Sequence, residues 1–180
     1  MAQPFRIQRS ARDWFAELRA ARTFRTDFDA FYFCFMAGIT ERRKNTVAFD
    51  ETAELVDYFP DKYGMRSKLL VGLFLTRELQ ELGVTMAEKN DVHEAIAKLV
   101  NPAAQHHLSD AGVREFNRYA NGGYDVLLDW FDDKPRYLDL FLLSFKERVH
   151  STLGAVILFY FSVTTNIICL DRVGKHVHAV

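Results

Sequence analysis

The chain has 180 residues, 49% of them apolar, and a formal net charge of −1. That length suits one domain and that apolar content supplies a sizeable core, which excludes a disordered chain. A net charge so close to zero provides no global field for drawing in nucleic acid, so only the local distribution of charge is informative.

From about Arg9 to Ala21, the arginines Arg9, Arg12, Arg19 and Arg22 fall on one side of a helical wheel and Trp14, Leu18 and Ala21 on the other. This pattern predicts an amphipathic first helix with an arginine-rich face. Thr26 with Asp29 three positions on predicts a capped second helix, whose apolar block runs to Ile39 and buries Phe31, Phe35 and Ile39 at helical spacing. The block then meets Glu41-Arg42-Arg43-Lys44, a basic exit, and a loop is expected over Asn45–Phe49.

An acidic stretch with Asp50, Glu51, Glu54 and Asp57 leads to Tyr58–Gly64, where Pro60 and Gly64 predict a loop. A long apolar helix is expected over Met65–Leu82 with Gly83 at its stop. Thr85 and Glu88 form a capping-box pattern that opens a helix to Val100, ended by Asn101-Pro102. Ser109 starts a helix to Ala120, Asn121-Gly122-Gly123 reads as a turn, and Tyr124–Phe131 as a short helix. Pro135 suits the first turn of a last helix over Arg136–His150. The fold class is therefore mainly α, a single-domain bundle of about seven helices over residues 1–150, with strand signals scarce.

Residues 151–180 differ in character, since Ser151 to Leu170 carries no charge and is rich in Val, Ile, Thr and aromatic residues. Its length suits a membrane span, but Ser151, Thr152, Ser162, Thr164, Thr165 and Asn166 dilute it. A buried helix, a pair of strands turning near Thr165-Asn166, or a surface that packs on the same domain or another subunit are the competing readings. Cys34 and Cys169 both sit in apolar runs without metal-ligand or redox spacing, which predicts buried reduced thiols. The N-terminus lacks the apolar core of a secretory signal, so a cytoplasmic setting is expected.

No catalytic or cofactor constellation emerges. His93-Glu94 lacks the second histidine that would place two imidazoles on one helical face, and the adjacent His106 and His107 point apart. His176 and His178 could share a face of an extended tail, although a frayed terminus explains them as well. Asp61 and the Asp132-Asp133-Lys134 run mimic the acids and lysine of a magnesium nuclease. That chemistry needs carboxylates on adjoining strands, and both segments read as loops or helix ends. No metal, cofactor or catalytic residue is assigned.

What stands out is surface charge and aromatic content. Residues 1–25 carry six arginines against Asp13 and Glu17, a local charge of +4. Arg9, Arg12, Arg19 and Arg22, extended by Arg42, Arg43 and Lys44 if the first two helices are antiparallel, are the candidate residues for contact with nucleic-acid phosphates or with an acidic partner. Pairing with the acidic 50–61 segment is the alternative. An aromatic fraction of 14%, with sixteen Phe, leaves open that some rings serve a partner.

The blocks FDAFYFCFMAGITERRK at Phe28–Lys44 and DKYGMRSKLL at Asp61–Leu70 resemble small helical accessory proteins of prokaryotic DNA-modification and phage-defence operons, of the DNA-phosphorothioation (Dnd) system-associated type. The resemblance covers about residues 27–100 and not the apolar end after His150. It implies a non-catalytic subunit docked on a larger protein of a DNA-acting complex, and it transfers no active-site residue. Two other functions remain open on the residues themselves: a nucleic-acid-binding module using the arginine face, and a tail-anchored membrane protein, for which a membrane is the less expected partner.

Overall fold

A computed structural model describes residues 3–85 and 87–153. Among them the architecture is mainly α, as the sequence predicts: seven α-helices and one two-stranded sheet. In chain order these are β1 (Arg6–Gln8), α1 (Arg9–Trp14), α2 (Ala16–Ala20), α3 (Asp27–Glu41), a 3-10 turn (Phe49–Glu51), β2 (Thr52–Glu54), α4 (Asp61–Glu81), α5 (Lys89–Leu99), α6 (Asp110–Trp130) and α7 (Leu138–Leu153). The chain divides into two compact units, Met1–Lys134 and Pro135–Val180, the second containing α7.

Helix α3 is the centre of the first unit, because every residue from Phe28 to Thr40 is buried. A helix apolar all round needs neighbours on all sides. The buried Thr40 hydroxyl is satisfied by donating to the Met36 carbonyl at 2.8 Å. The start is fixed as its sequence predicts: the Asp29 carboxylate accepts from the N–H groups of Thr26 at 3.0 Å and Arg25 at 2.8 Å. Around α3 the aromatic side chains converge on Phe116 of α6. Phe35 stacks on it with ring centroids 3.9 Å apart, and Phe5, Phe31, Phe59 and Phe74 surround it. The phenylalanines that the composition left open to a partner are thus mostly core, Phe49 being an exposed exception that covers its ring with the Arg6 guanidinium at 3.7 Å.

The clearest departure from expectation lies in α6. The predicted turn at Asn121-Gly122-Gly123 does not exist; one helix of 21 residues runs straight through it. The glycines serve close approach. A Cβ on Gly123 would strike the Cys34 carbonyl, one on Gly38 the Tyr119 carbonyl, and one on Gly122 the Arg43 carbonyl. Backbone therefore lies on backbone where α3 crosses α6, which only residues without a side chain permit. Asn121 also has a role that turn propensity hides. With Asn117 one helical turn earlier, it presents Oδ1 atoms that accept from the N–H groups of Gln8 and Arg6, both at 3.0 Å. The side of β1 not paired with β2 is thereby satisfied by side chains of a helix.

Other boundaries shift for local reasons. The first predicted helix appears as α1 and α2, interrupted at Phe15, yet i→i−4 bonds continue across the break. Pro60 caps α4 rather than lying in a loop that extends to Gly64, so the helix starts at Asp61 and Gly64 is interior to it. Glu88 accepts from the Thr85 N–H and hydroxyl, but the helix begins only at Lys89. The antiparallel pair β1/β2, with Ile7 opposite Ala53, was not predicted; strands of three residues are too short to display alternation. Gly83, at φ 69°, stops α4 as expected.

Glycine substitutions separate the two uses of this residue. Gly123→Ala should destabilise the fold by about 2 kcal/mol or more through overpacking of backbone against backbone. Gly72→Ala, on the open face of α4, should stabilise it by about 0.5–1 kcal/mol. Urea denaturation of both variants checks the pair; equal losses would contradict the close-approach account.

Candidate functional site

Of the candidate basic residues, Arg12 and Arg19 lie at the N-terminal end of α3 and Arg42, Arg43 and Lys44 follow its C-terminal end. A buried helix carries partial positive charge at its N-terminus and negative charge at its C-terminus, and burial removes the water that would screen them. At the N-terminus stand Asp27 and Asp29. Asp29, 2% exposed, also accepts from the Tyr63 hydroxyl at 2.6 Å and is ion-paired with Lys62. Burial, then the Asp29 charge, pushes the Tyr63 phenol well up, so it stays a donor. At the C-terminus Arg42 takes the left-handed conformation (φ 54°). The buried Arg77 of α4 donates from Nε to the Ile39 carbonyl at 2.9 Å.

Each predicted basic residue can be placed against this frame. Arg12 and Arg19 converge on Asp27, Arg19 Nε lying 2.9 Å from Oδ1. Arg9 donates from Nε to the Asp50 carbonyl at 3.1 Å, and Arg22 is exposed at φ 54° after α2. Arg43 pairs with Asp129. Lys44 lies 2.6 Å from Glu78 and 3.0 Å from Glu115, with the Tyr119 ring 4.8 Å from its Nζ. The cluster on Asp27 and the cluster at Arg42–Lys44 are separated by the 15 residues of α3, about 22 Å of helix. They do not form the continuous stripe that the antiparallel arrangement would have produced. Their acidic partners belong to α3, α4 and α6; the 50–61 segment supplies the Asp50 backbone carbonyl to Arg9 and the Glu54 carboxylate to Arg6.

The Lys44 cluster is the most buried of these. Side-chain exposure is 19% for Lys44 and 10% for Glu78. Burial alone would raise the Glu115 carboxyl, but hydrogen bonds from Arg118 and Lys44 outweigh it and hold the group below its ordinary value. Burial, then the Glu78 and Glu81 charges, pushes the Tyr119 phenol far up. A groove of about 260 Å³ between α4, α5 and α6 reaches Glu78 and Glu115 over a floor of Leu82, Ala95 and Leu99. A second of about 380 Å³ lies along Arg42, Arg43, Val126 and Asp129. Both are lined by charges of both signs. Lys44→Ala should cost about 3 kcal/mol, because it strands the Glu78 carboxylate in a poorly solvated site, and Glu78→Gln on that background should recover much of the loss. A urea-denaturation cycle over the three variants tests this; independent, additive effects would refute it.

Among the described residues no group of three or more His, Cys, Asp and Glu could hold a metal ion. His93 is exposed on α5. Asp61 opens α4, and Asp132-Asp133 follow α6, so neither acidic segment lies on a strand. The two neighbouring histidines diverge: His107 turns outward at φ 58°, whereas His106 is 1% exposed. His106 Nδ1 accepts from the Leu108 N–H at 3.1 Å, and the ring meets Phe5 edge-on. Burial lowers its pKa below the usual 6.5, against the pull of Asp57 and Asp110 and with help from His107. The unfolded chain thus takes up the proton first. The neutral ring's contribution is complete above pH 6.5 and is lost as pH falls through 6.5 towards the folded value. His106→Asn keeps an oxygen for the Leu108 N–H. Between about pH 7.5 and 5.5 it should lose less stability than the parent chain in urea titrations. Cys34 is fully buried, and burial followed by the Asp125 charge raises its thiol, so it is an inert core residue.

The outer face of α4 is a feature that the sequence did not single out. Met65 is 99% exposed, Leu69 and Leu73 are half-buried beside it, and Gly64 and Gly72 have open space where a Cβ would stand. Two glycines inside a helical run were the available signal. No helix among the described residues is long and apolar enough to cross a membrane. The uncharged segment Ser151–Leu170 and the histidines His176 and His178 lie, from residue 154 onward, outside the described residues. Comparison of the chain with protein-family models, with curated proteins and with solved structures gave no match.

Proposed function

We propose that this chain is a non-catalytic, cytosolic helical subunit of a larger DNA-acting assembly of the prokaryotic defence or modification type, docking on its protein partner through the outer face of α4. The observation that carries this reading is Met65, wholly exposed within an ordered helix and flanked by Gly64 and Gly72. Glycine in a helix interior costs about 1 kcal/mol relative to alanine. Gly38, Gly122 and Gly123 are accounted for by close approach within the chain; Gly64 and Gly72 meet nothing within 4 Å among the described residues. A partner helix lying close over α4 gives them the same reason to be glycine. The segment Asp61–Leu70, which resembles the Dnd-associated accessory proteins, is the first half of this helix.

The acidic partners of Arg12, Arg19, Arg43 and Lys44 within the chain weigh against phosphate binding, since each pairing would have to be broken or shared. Co-expression with the products of adjacent genes, followed by size-exclusion chromatography, tests the proposal. Co-elution with one of them, weakened about tenfold or more by Met65→Asp, is the expected result. Co-elution that Met65→Asp leaves unchanged would sink the α4 face. A low-salt mobility shift with DNA that disappears when Arg12, Arg19, Arg22, Arg42 and Arg43 become alanine would replace docking by phosphate contact.

A further inference from the structure

Of the three helices around the groove between α4, α5 and α6, α5 is the most lightly packed. It buries only Val92 and Leu99, while Ala95 and Ile96 are half-buried. The floor beside it is apolar, formed by Leu82, Ala95, Leu99 and Ala111. Protein interiors keep few voids larger than a water molecule, so an apolar groove of about 260 Å³ against a lightly held helix is space that a small ligand can fill.

The charges around this floor select the ligand. Glu78 and Glu115, on the α4 and α6 walls, are already matched: both meet Lys44, and Glu115 also accepts from Arg118. Lys98 of α5 and Arg114 of α6 line the same groove, are exposed, and belong to no ion pair among the described residues. The spare charge of the groove is therefore positive, and it stands beside apolar surface. The geometry points to a binding site for a small aliphatic carboxylate, its chain lying on Leu82, Ala95, Leu99 and Ala111 and its carboxylate held by Lys98 and Arg114. The guanidinium offers a planar fork that matches a carboxylate, and the ammonium adds a second charge-assisted bond. The volume of about 260 Å³ falls below the roughly 300–1,000 Å³ of sites for drug-sized molecules, which limits the ligand to a short chain. A peptide end fits less well, because its backbone N–H and C=O groups would lie on a floor whose side chains offer no hydrogen bond. The site is made by the α5 and α6 side of α4, so it stands whether or not a partner docks over Met65.

Isothermal titration calorimetry of the full chain with sodium octanoate tests this. Saturable binding at one site is expected, with Kd on the order of 100 µM. Octanamide, similar in shape but uncharged, should bind at least tenfold more weakly. Octanoate should lose at least as much affinity for the Lys98→Ala, Arg114→Ala double variant, whose two exposed positions leave the core intact. Ala95→Trp, which fills the floor and keeps both cations, should abolish binding; circular dichroism shows that both variants retain their helices. In the parent chain, octanoate should slow amide hydrogen exchange in α5, and Met65→Asp should leave the affinity unchanged. No saturable binding, equal affinity for octanamide, or an affinity that neither variant alters would each overturn the inference. Binding of a short peptide ending in leucine in place of octanoate would overturn it in favour of a chain-end site.

Discussion

The contact on which the first unit depends is the crossing of α3 over α6, where Gly38, Gly122 and Gly123 let two backbones touch. Because the axes lie so close, the side chains on either side of the crossing are forced outward into a shared layer. Phe35 and Phe31 from α3 meet Phe116 from α6 there, and Phe5, Phe59 and Phe74 close around them. Close approach also fixes the polar geometry. Asn117 and Asn121 on α6 come within hydrogen-bond reach of β1, so the N-terminal segment is held by side chains on one side and by β2 on the other.

Burying α3 entirely has an electrostatic consequence that organises the basic residues. Its positive N-terminus holds Asp27 and Asp29, which draw in Arg12, Arg19 and Lys62; its negative C-terminus is met by Arg77 and continues into Arg43 and Lys44. Arg12, Arg19 and Arg77 therefore serve to complete one buried helix. The large apolar side chains that stay exposed include Met65, beside open glycines on α4, and Leu140 and Leu143 on α7.

Much of the helical framework was legible from local chemistry. The Thr26/Asp29 cap, the burial of Phe31, Phe35 and Ile39, the stop at Gly83 and the start at Ser109 depend on residues within one or two turns of each other. Two of the departures share one cause. Asn121-Gly122-Gly123 and Gly64 carry turn propensity of about 1 kcal/mol per glycine, which tertiary packing or continuation of a long helix overrides. The candidate basic residues were legible as charge, but their partners were not, since Asp27, Asp129, Glu78 and Glu115 are brought to them only by folding.

By itself, then, the sequence determined a mainly helical chain and a central apolar helix with acidic and basic ends. These follow from periodicity and capping, which act over a few residues. Tertiary structure decided which glycines are turns and which are contacts, that the two basic clusters stand at opposite ends of α3, and which apolar side chains remain outside. Those outcomes depend on backbone approach and on charge pairing between residues up to 86 positions apart, and no local propensity encodes such separations.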